Sequence, residues 1–186
     1  MRIGLTGAQG VGKTTLARRL AEALGLPLIE EQARRVVADL GLERPADLRR
    51  RPDLWSVFQW RCLEAQLAAE GEHASFVADR TVLDNLVHWL RWHARDTPAG
   101  ESLRFYRLCE REARKYDLIL YLPPEIPLVA DGFRSTRRDY QREMDWLTRL
   151  VLRALVPRRR VVHVRGSMEE RLQAALTAVE QLKRAL

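Results

Sequence analysis

The chain has 186 residues, of which 46% are hydrophobic and 31% charged, a length and composition typical of one globular domain with its own core. No apolar run is long enough to cross a bilayer, and the N-terminus lacks the regions of a secretory signal, so we expect a cytoplasmic protein without membrane insertion. The formal net charge is +7, but the basic residues are scattered along the chain, which argues against nucleic acid as a partner.

Five short apolar runs alternate with helix-like stretches. They are RIGLT at 2–6, LPLIE at 26–30, SFVAD at 75–79, DLILYL at 117–122 and RVVHV at 160–164. This alternation predicts a parallel β-sheet with helices on both faces. The predicted fold class is therefore α/β, and residues 1–186 are expected to form a single domain.

The segments between these runs have apolar residues at helical spacing. The first predicted helix covers residues 13–24 and ends at Gly25, because glycine suits the left-handed position after a helix. A polar link precedes the third helix, and the loop DTPAGES follows the fourth. The further predicted helices are 33–41, 54–73, 81–94, about 103–115 and 147–155.

The sequence becomes polar and arginine-rich after the fourth predicted strand, in FRSTRRDYQREMDW. Ligands of open parallel sheets bind at the carboxyl ends of the strands, so we expect a lid at about 124–142. Gly132 would permit a sharp bend there. Arg134, nearest the bend, is expected to stabilise charge on the transferring phosphate. A solvated helix face explains Arg137 and Arg138 equally well.

Residues 7–14, GAQGVGKT, match the phosphate-loop pattern G-x-x-x-x-G-K-[ST]. The match lies after a predicted strand and at the start of a helix, which is the context that the motif requires. Its glycines let the backbone fold round phosphates, so that N–H groups and the positive helix end point at the anion. Lys13 would reach the β- and γ-phosphates, and the Thr14 hydroxyl would complete the shell of a Mg²⁺ ion.

The other polar positions at strand ends indicate the reaction. A GTPase switch needs a guanine-reading N-K-x-D, but Asn85 is the only asparagine and Leu86 follows it. Motor ATPases usually end a strand with adjacent acids, whereas the third predicted strand ends in Asp79 followed by Arg80. This pair favours a kinase, in which Asp79 would hold the magnesium shell or accept a proton and Arg80 would neutralise phosphate charge.

The second predicted strand ends in IEEQAR, which places two acids near the same edge of the sheet. A carboxylate there would take the proton from an attacking hydroxyl, with Glu31 favoured over Glu30, while Arg34 would steady the acceptor. The alternative is that the two acids merely cap the next helix.

Metal-ligating and aromatic side chains give weaker signals. Cys62 and Cys109 lie far apart, and the four histidines lack HxxxH and HExxH spacing, so we expect free thiols and no zinc site. Trp89 and Trp92 are three residues apart and share one helix face. They predict either an aromatic wall for a planar acceptor or packing against the core.

Several of these groups together resemble a known family. GAQGVGKTT, EEQAR, FQWRCLEAQL, FVADRTVLDN, YDLILYLPP and DGFRSTRRDYQREMDWL occur in the order and spacing of the P-loop ATPase and kinase family that includes the ribosylnicotinamide kinase domain of NAD-biosynthesis regulators. The resemblance covers roughly residues 1–166. The sequence Asp79-Arg80-Thr81 is closer to deoxynucleoside and thymidylate kinases.

The resemblance implies a parallel sheet of strand order 2-3-1-4-5, with ATP and Mg²⁺ as co-substrates. It also implies transfer of the γ-phosphate to a hydroxyl of a small nucleoside-like metabolite, such as nicotinamide riboside or a (deoxy)nucleoside or nucleotide. The implied ATP-binding residues are Gly7, Ala8, Gln9, Gly10, Val11, Gly12, Lys13, Thr14 and Thr15. The resemblance also implies that Glu31 and Asp79 are acids at the reaction centre and that Arg134 belongs to the lid. Together with the motifs above, the predicted catalytic residues are Lys13, Glu31, Asp79, Arg80 and Arg134. The predicted metal ligands are Thr14 and Asp79, and the predicted substrate-binding residues are Glu31, Arg34, Asp84 and Trp89.

Two other functions remain open at this point. The arginine-rich lid would also suit a nucleotide-dependent regulatory ATPase that hydrolyses slowly and acts on a protein or lipid partner. A nucleic-acid-dependent ATPase would instead be stimulated by DNA or RNA, and the stimulation would fall with salt. The small-molecule kinase is the leading hypothesis, because the phosphate loop and the acid and arginine residues at the strand ends both favour it.

Overall fold

A five-stranded, all-parallel β-sheet organises the computed structural model, which describes residues 1–126 and 137–185. The order across the sheet is β2-β3-β1-β4-β5. The predicted α/β class and strand order are therefore confirmed. The strands are β1 (Arg2–Thr6), β2 (Leu28–Ile29), β3 (Phe76–Asp79), β4 (Leu118–Tyr121) and β5 (Val161–His163).

Seven α-helices within the described residues cover the sheet. Helices α1 and α7 pack together, while α3, α5 and α6 each pack on α4. The three inner strands are almost wholly buried, as expected for a parallel sheet with helices on both faces. The helices are α1 (Lys13–Leu24), α2 (Ala33–Asp39), α3 (Trp55–Gly71), α4 (Val82–Trp92), α5 (Ala99–Ala113), α6 (Arg138–Leu155) and α7 (Met168–Ala185).

The helices differ from the prediction by more than one or two residues at an end in three places. Helix α5 begins at Ala99, inside the predicted loop, because the carbonyl of Pro98 accepts the first helical hydrogen bonds. Helix α6 begins at Arg138, so the polar stretch before residue 147 is helical as far as the structure describes it. Helix α7 was not predicted, although Leu172, Ala175 and Val179 place buried apolar residues at helical spacing.

Strand β1 and the start of α4 approach each other closely at Gly4. A Cβ atom added there would lie 2.3 Å from Cγ2 of Thr81 and 3.2 Å from Cδ1 of Ile119. Thr81 is buried and caps α4, since its Oγ1 accepts a 3.2 Å hydrogen bond from the Leu83 amide. The missing side chain of Gly4 thus lets α4 begin directly against the sheet, next to the end of β3.

This contact predicts that Gly4→Ala lowers the free energy of unfolding by about 1–3 kcal/mol, because an added methyl group overpacks a filled site. Chemical denaturation measures the change. Gly71→Ala is the matched control, because nothing lies within 4 Å of a Cβ added there. Thr81→Ser removes the opposing methyl group and keeps the capping hydroxyl, so it should recover part of the loss in the double variant. A Gly4→Ala protein as stable as the wild type would contradict the close contact.

Candidate functional site

The loop between β1 and α1 has the shape of a phosphate-binding loop. Gly7 has a φ of 145°, and a Cβ there would lie 2.4 Å from the carbonyl oxygen of Leu122. Gly12 caps α1 with a φ of 88°, in the left-handed region that glycine adopts without strain. Because no side chain caps this helix end, its first backbone N–H groups are available to an anion.

Lys13 folds back onto its own loop. Its Nζ donates hydrogen bonds of 2.7 Å to the carbonyl of Gly7 and 2.6 Å to that of Ala8. Burial, with a smaller contribution from the nearby Arg80 guanidinium, lowers the pKa of Lys13 to about 7. A phosphate group beside Lys13 would favour its charged form, so the ammonium group is ready to exchange carbonyl partners for an anion.

Thr14 and Asp79 meet at the carboxyl end of the sheet. The Oγ1 atom of Thr14 donates a 2.6 Å hydrogen bond to Oδ2 of Asp79, the last residue of β3. Two hard oxygen ligands beside a phosphate loop suit Mg²⁺, which takes one or two protein oxygens and completes its shell with phosphates and water. Within residues 1–126 and 137–185, no three or more His, Cys, Asp or Glu side chains gather into a metal cluster. A nucleotide-bound Mg²⁺ does not require one.

Arg80 forms the centre of a largely buried ion-pair group. Its Nε lies 2.6 Å from Oε1 of Glu31, and its NH1 lies 3.5 Å from Oδ1 of Asp84. Burial disfavours the charged guanidinium, but the neighbouring carboxylates outweigh it and raise the pKa of Arg80 above its ordinary value. Arg80 has a φ of 102° and is the only non-glycine residue with positive φ in the part of the chain that the structure describes.

A second buried network supports this strained backbone. Gln66 in α3 donates hydrogen bonds of 3.3 Å to the carbonyl of Arg80 and 2.7 Å to the carboxylate of Glu70. The Tyr116 hydroxyl donates to the same carboxylate and accepts a 3.1 Å hydrogen bond from the Val82 amide. Two separate segments, helix α3 and the residues just before β4, therefore fix the turn between β3 and α4.

A cavity of about 360 Å³ opens beside the phosphate loop, next to Gly7, Ala8 and Gln9. Glu31, Arg80 and Asp84 also line the cavity, and their charges act on Lys13 of the loop. The aromatic lining residues are Trp55, Phe58, Trp92 and Tyr140, contributed by α3, α4 and α6. The polar lining residues include Gln59, Asn85 and His88.

Those three polar side chains make no hydrogen bond to the described residues. Gln59 is nevertheless buried, at 6% exposure. Burial, together with the nearby Arg80 guanidinium, lowers the pKa of His88 to about 3, so its imidazole is neutral at physiological pH. Neutral amide and imidazole groups that lack protein partners are suited to hydrogen-bond a ligand.

The structure brings together most of the residues singled out from the sequence. The loop residues 7–15, Glu31, Asp79, Arg80 and Asp84 meet at one edge of the sheet. Arg34 lies exposed on α2 and does not line the cavity, and Arg134 lies outside the described residues.

Trp89 requires a correction. It is fully buried and stacks on Phe105 with ring centroids 4.2 Å apart, so it belongs to the core rather than to the cavity wall. Trp92, three residues later, lines the cavity instead, and its Nε1 donates a 3.3 Å hydrogen bond to the Tyr140 hydroxyl.

Sequence reasoning missed the polar residues of α3. Gln59 and Gln66 lie seven residues apart on the buried side of that helix, among Cys62 and Leu63. The available signal was the recurrence of amide side chains among the apolar residues of one helix face. A buried polar group needs a hydrogen-bond partner, so such amides indicate a buried network or a ligand site.

The fold and the site together define a phosphate-loop, nucleotide-binding α/β protein. The AAA domain family model matches residues 2–171, and the chain belongs to this family. The expected resemblance to P-loop ATPases and kinases is thereby confirmed. The search of curated proteins found no match. None of the helices within the described residues is long and apolar enough to span a membrane.

Three solved structures illustrate the fold. NadR protein in complex with NR has a TM-score of 0.75 and 22% identity, covering 97% of this chain and 51% of its own. The chain thus spans about half the length of NadR. Deoxyadenosine kinase from M. mycoides with bound dCTP has a TM-score of 0.70 and 14% identity, covering 97% and 100%. Shikimate kinase from Acinetobacter baumannii in complex with shikimate has a TM-score of 0.64 and 16% identity, covering 100% and 94%.

The lowered pKa of Lys13 predicts that ATP binding takes up protons at pH 8. The ordinary lysine pKa is 10.5 and the value in the folded protein is about 7, so Lys13 is mostly neutral at pH 8 without ligand. A bound phosphate raises this pKa and restores the charge. Because ATP is itself fully deprotonated at pH 8, the uptake should approach one proton per site. Titration calorimetry in buffers of different ionisation enthalpy measures it.

Lys13→Arg is the matched control for this measurement. Its guanidinium stays protonated at every accessible pH, so nucleotide binding to this variant should take up no proton. Zero uptake by the wild type, or equal uptake by the variant, would contradict the assignment to Lys13.

Proposed function

We propose that the protein is an ATP-dependent kinase that transfers the γ-phosphate to a hydroxyl group of a nucleoside. The observation that carries this proposal is the junction of the phosphate loop with the 360 Å³ cavity, whose lining also includes Glu31 and Arg80. A donor phosphate on one side and a second small molecule on the other would meet at these two residues. Phosphoryl transfer depends mainly on such positioning and on charge neutralisation.

The donor side follows from the loop chemistry. Lys13 and the backbone N–H groups of the loop would hold the β- and γ-phosphates of ATP. Thr14 and Asp79, which are joined by a 2.6 Å hydrogen bond, would hold the Mg²⁺ ion that neutralises charge on these phosphates. Residues 7–15 would therefore bind the donor.

Glu31 is the proposed general base. Its carboxylate lines the cavity and is held by Arg80 at 2.6 Å, so it is fixed in direction before an acceptor arrives. It would accept the proton of the attacking hydroxyl as the oxygen bonds to the γ-phosphorus. The neighbouring Glu30 is exposed and pairs with Arg18 at 3.0 Å, which leaves Glu31 as the better candidate.

The lining of the cavity favours a planar acceptor without a phosphate group. Its aromatic residues suit a ring, and the amide of Gln59 and the imidazole of His88 suit a ring edge that carries donors and acceptors. Three guanidinium groups face four carboxylates, so the described lining has no excess positive charge to attract a nucleotide. The guanidinium groups are Arg80, Arg91 and Arg137, and the carboxylates are Glu31, Asp84, Asp139 and Glu143.

The structural relatives are consistent with a nucleoside acceptor but do not identify the acceptor. NadR in complex with NR and deoxyadenosine kinase share the fold with shikimate kinase, and all are under 25% identical to this chain. The aromatic lining is what favours a nucleoside over an alicyclic acid.

The proposal includes the domain organisation. All 186 residues would form one domain, with the segment at about 124–142 as a lid over the junction. Its two described ends support this role, since Glu125 accepts a 3.2 Å hydrogen bond from Arg171 beside the phosphate loop and Tyr140 lines the cavity. Arg134 would then act on the transferring phosphate from this segment.

A panel of candidate acceptors tests the proposed activity. Nicotinamide riboside, deoxynucleosides and nucleoside monophosphates are each incubated with protein, Mg²⁺ and ATP, and phosphorylated products are identified by mass spectrometry. Glu31→Gln should lower kcat on the active nucleoside by about 10²- to 10⁴-fold, the usual contribution of a general base. Glu30→Gln should retain wild-type turnover. Phosphorylation of monophosphates alone would contradict the charge argument, and ATP hydrolysis unaffected by every acceptor would favour the regulatory ATPase.

Gln59 provides a separate test of the acceptor site. Gln59→Leu removes the amide and should raise KM for the nucleoside about five- to tenfold, the value of one hydrogen bond, while KM for ATP stays unchanged. Steady-state kinetics with each substrate varied in turn measure both constants. An equal rise in both KM values would indicate a structural defect rather than acceptor recognition.

A further inference from the structure

Gln9 places a buried amide group at the boundary between the phosphate loop and the cavity. The residue is 8% exposed and lines the cavity. Its Nε2 atom is shielded from solvent, and no hydrogen-bond acceptor contacts it within residues 1–126 and 137–185. A buried donor without a partner is destabilising, so this amide is placed to donate a hydrogen bond to a bound ligand.

The backbone around Gln9 is held on both sides, so the loop is not free to bring this amide to a protein acceptor. Gln141 of α6 donates a 2.8 Å hydrogen bond to the carbonyl of Gln9. Arg171 of α7, which is fully buried, donates a 2.6 Å hydrogen bond to the carbonyl of Val11. Both helices thus fix the main chain and leave the Gln9 side chain as the unsatisfied part of the loop.

The neighbours of Gln9 identify the ligand group. Lys13 contacts the carbonyls of Gly7 and Ala8, the two residues that precede Gln9 in the loop. The carboxylate of Glu31 lines the same cavity. The group that belongs between this lysine and this carboxylate, under the proposed function, is the phosphoryl group that is transferred.

We propose that the side-chain amide of Gln9 donates a hydrogen bond to a γ-phosphate oxygen on the side that faces the acceptor. The inference rests on the proposed kinase function and adds a catalytic residue to it. In the transfer step the acceptor oxygen bonds to the γ-phosphorus, the bond to the ADP oxygen breaks, and the hydroxyl proton passes to Glu31. Gln9 undergoes no covalent change and stabilises the charge on the equatorial oxygens.

This contact would also distinguish the substrate from the product. ADP has no γ-phosphate, so the amide returns to its unsatisfied state when the reaction is complete. The penalty of the unpaired donor is therefore present with ADP and absent with ATP. Gln9 would bind the triphosphate preferentially and favour exchange of the product for a new substrate molecule.

The test compares binding of a non-hydrolysable ATP analogue with binding of ADP, each with Mg²⁺, by titration calorimetry. Gln9→Met keeps the length of the side chain and removes the donor. It should reduce the preference for the triphosphate about tenfold, whereas Gln173→Met, on the exposed side of α7, should leave it unchanged. Gln9→Glu should reduce the preference further, because a carboxylate repels phosphate.

Two outcomes would overturn the role of Gln9. One is an unchanged triphosphate preference in Gln9→Met whose thermal unfolding matches the wild type. The other, if Gln9→Met does not fold, is an unchanged preference in Gln9→Glu. Neither measurement needs an acceptor. If the acceptor panel gave no product, the kinase proposal would be refuted, whereas the measured effect of the Gln9 variants on triphosphate preference would stand. With an active acceptor, Gln9→Met should lower kcat about tenfold and leave KM for the nucleoside unchanged.

Discussion

The site depends on one largely buried cation, the guanidinium of Arg80. The Arg80 guanidinium would be strongly destabilising without partners, and it is stable because Glu31 and Asp84 lie beside it. These carboxylates come from two residues beyond the end of β2 and from the first turn of α4, so a single ion-pair group joins these two places at the end of β3. The φ of 102° at Arg80, which costs about 1–3 kcal/mol, is the backbone conformation that accompanies this arrangement.

The strain at Arg80 explains why the supporting network is so extensive. Gln66 holds its carbonyl, Asp84 accepts hydrogen bonds from both the backbone amide and the hydroxyl of Thr81, and Gly4 leaves room for the Thr81 methyl group. Each contact fixes a different atom of the turn. If Glu31 acts as the proposed general base, it must face both the Arg80 guanidinium and an incoming hydroxyl, and a displacement of about 1 Å would misalign proton transfer.

The sequence predicted the parts of the site that local patterns encode. A phosphate loop requires glycines and a lysine at fixed spacing, and Asp79 and Glu31 mark strand ends, so these could be recognised without coordinates. Trp89 and Trp92 could not be told apart, because helix periodicity gives a broad face, whereas the docking of α4 on α5 and α6 decides which ring enters the core. Gln59 and Tyr140 lie on helices far apart in sequence, and only the tertiary packing brings them to one cavity.

The two C-terminal helices give the phosphate loop its connection to the rest of the domain. Gln141 of α6 and Arg171 of α7 bind carbonyls two residues apart in the loop, and Arg171 also contacts Glu125 beyond the end of β4. The segment that joins β4 to α6 is therefore linked to the loop near both of its ends. Phosphates that displace the Lys13 contacts would act on the carbonyls of Gly7 and Ala8, which lie in the same loop as the carbonyls bound by Gln141 and Arg171. Two buried side chains therefore link this loop to the two described ends of the segment proposed as a lid.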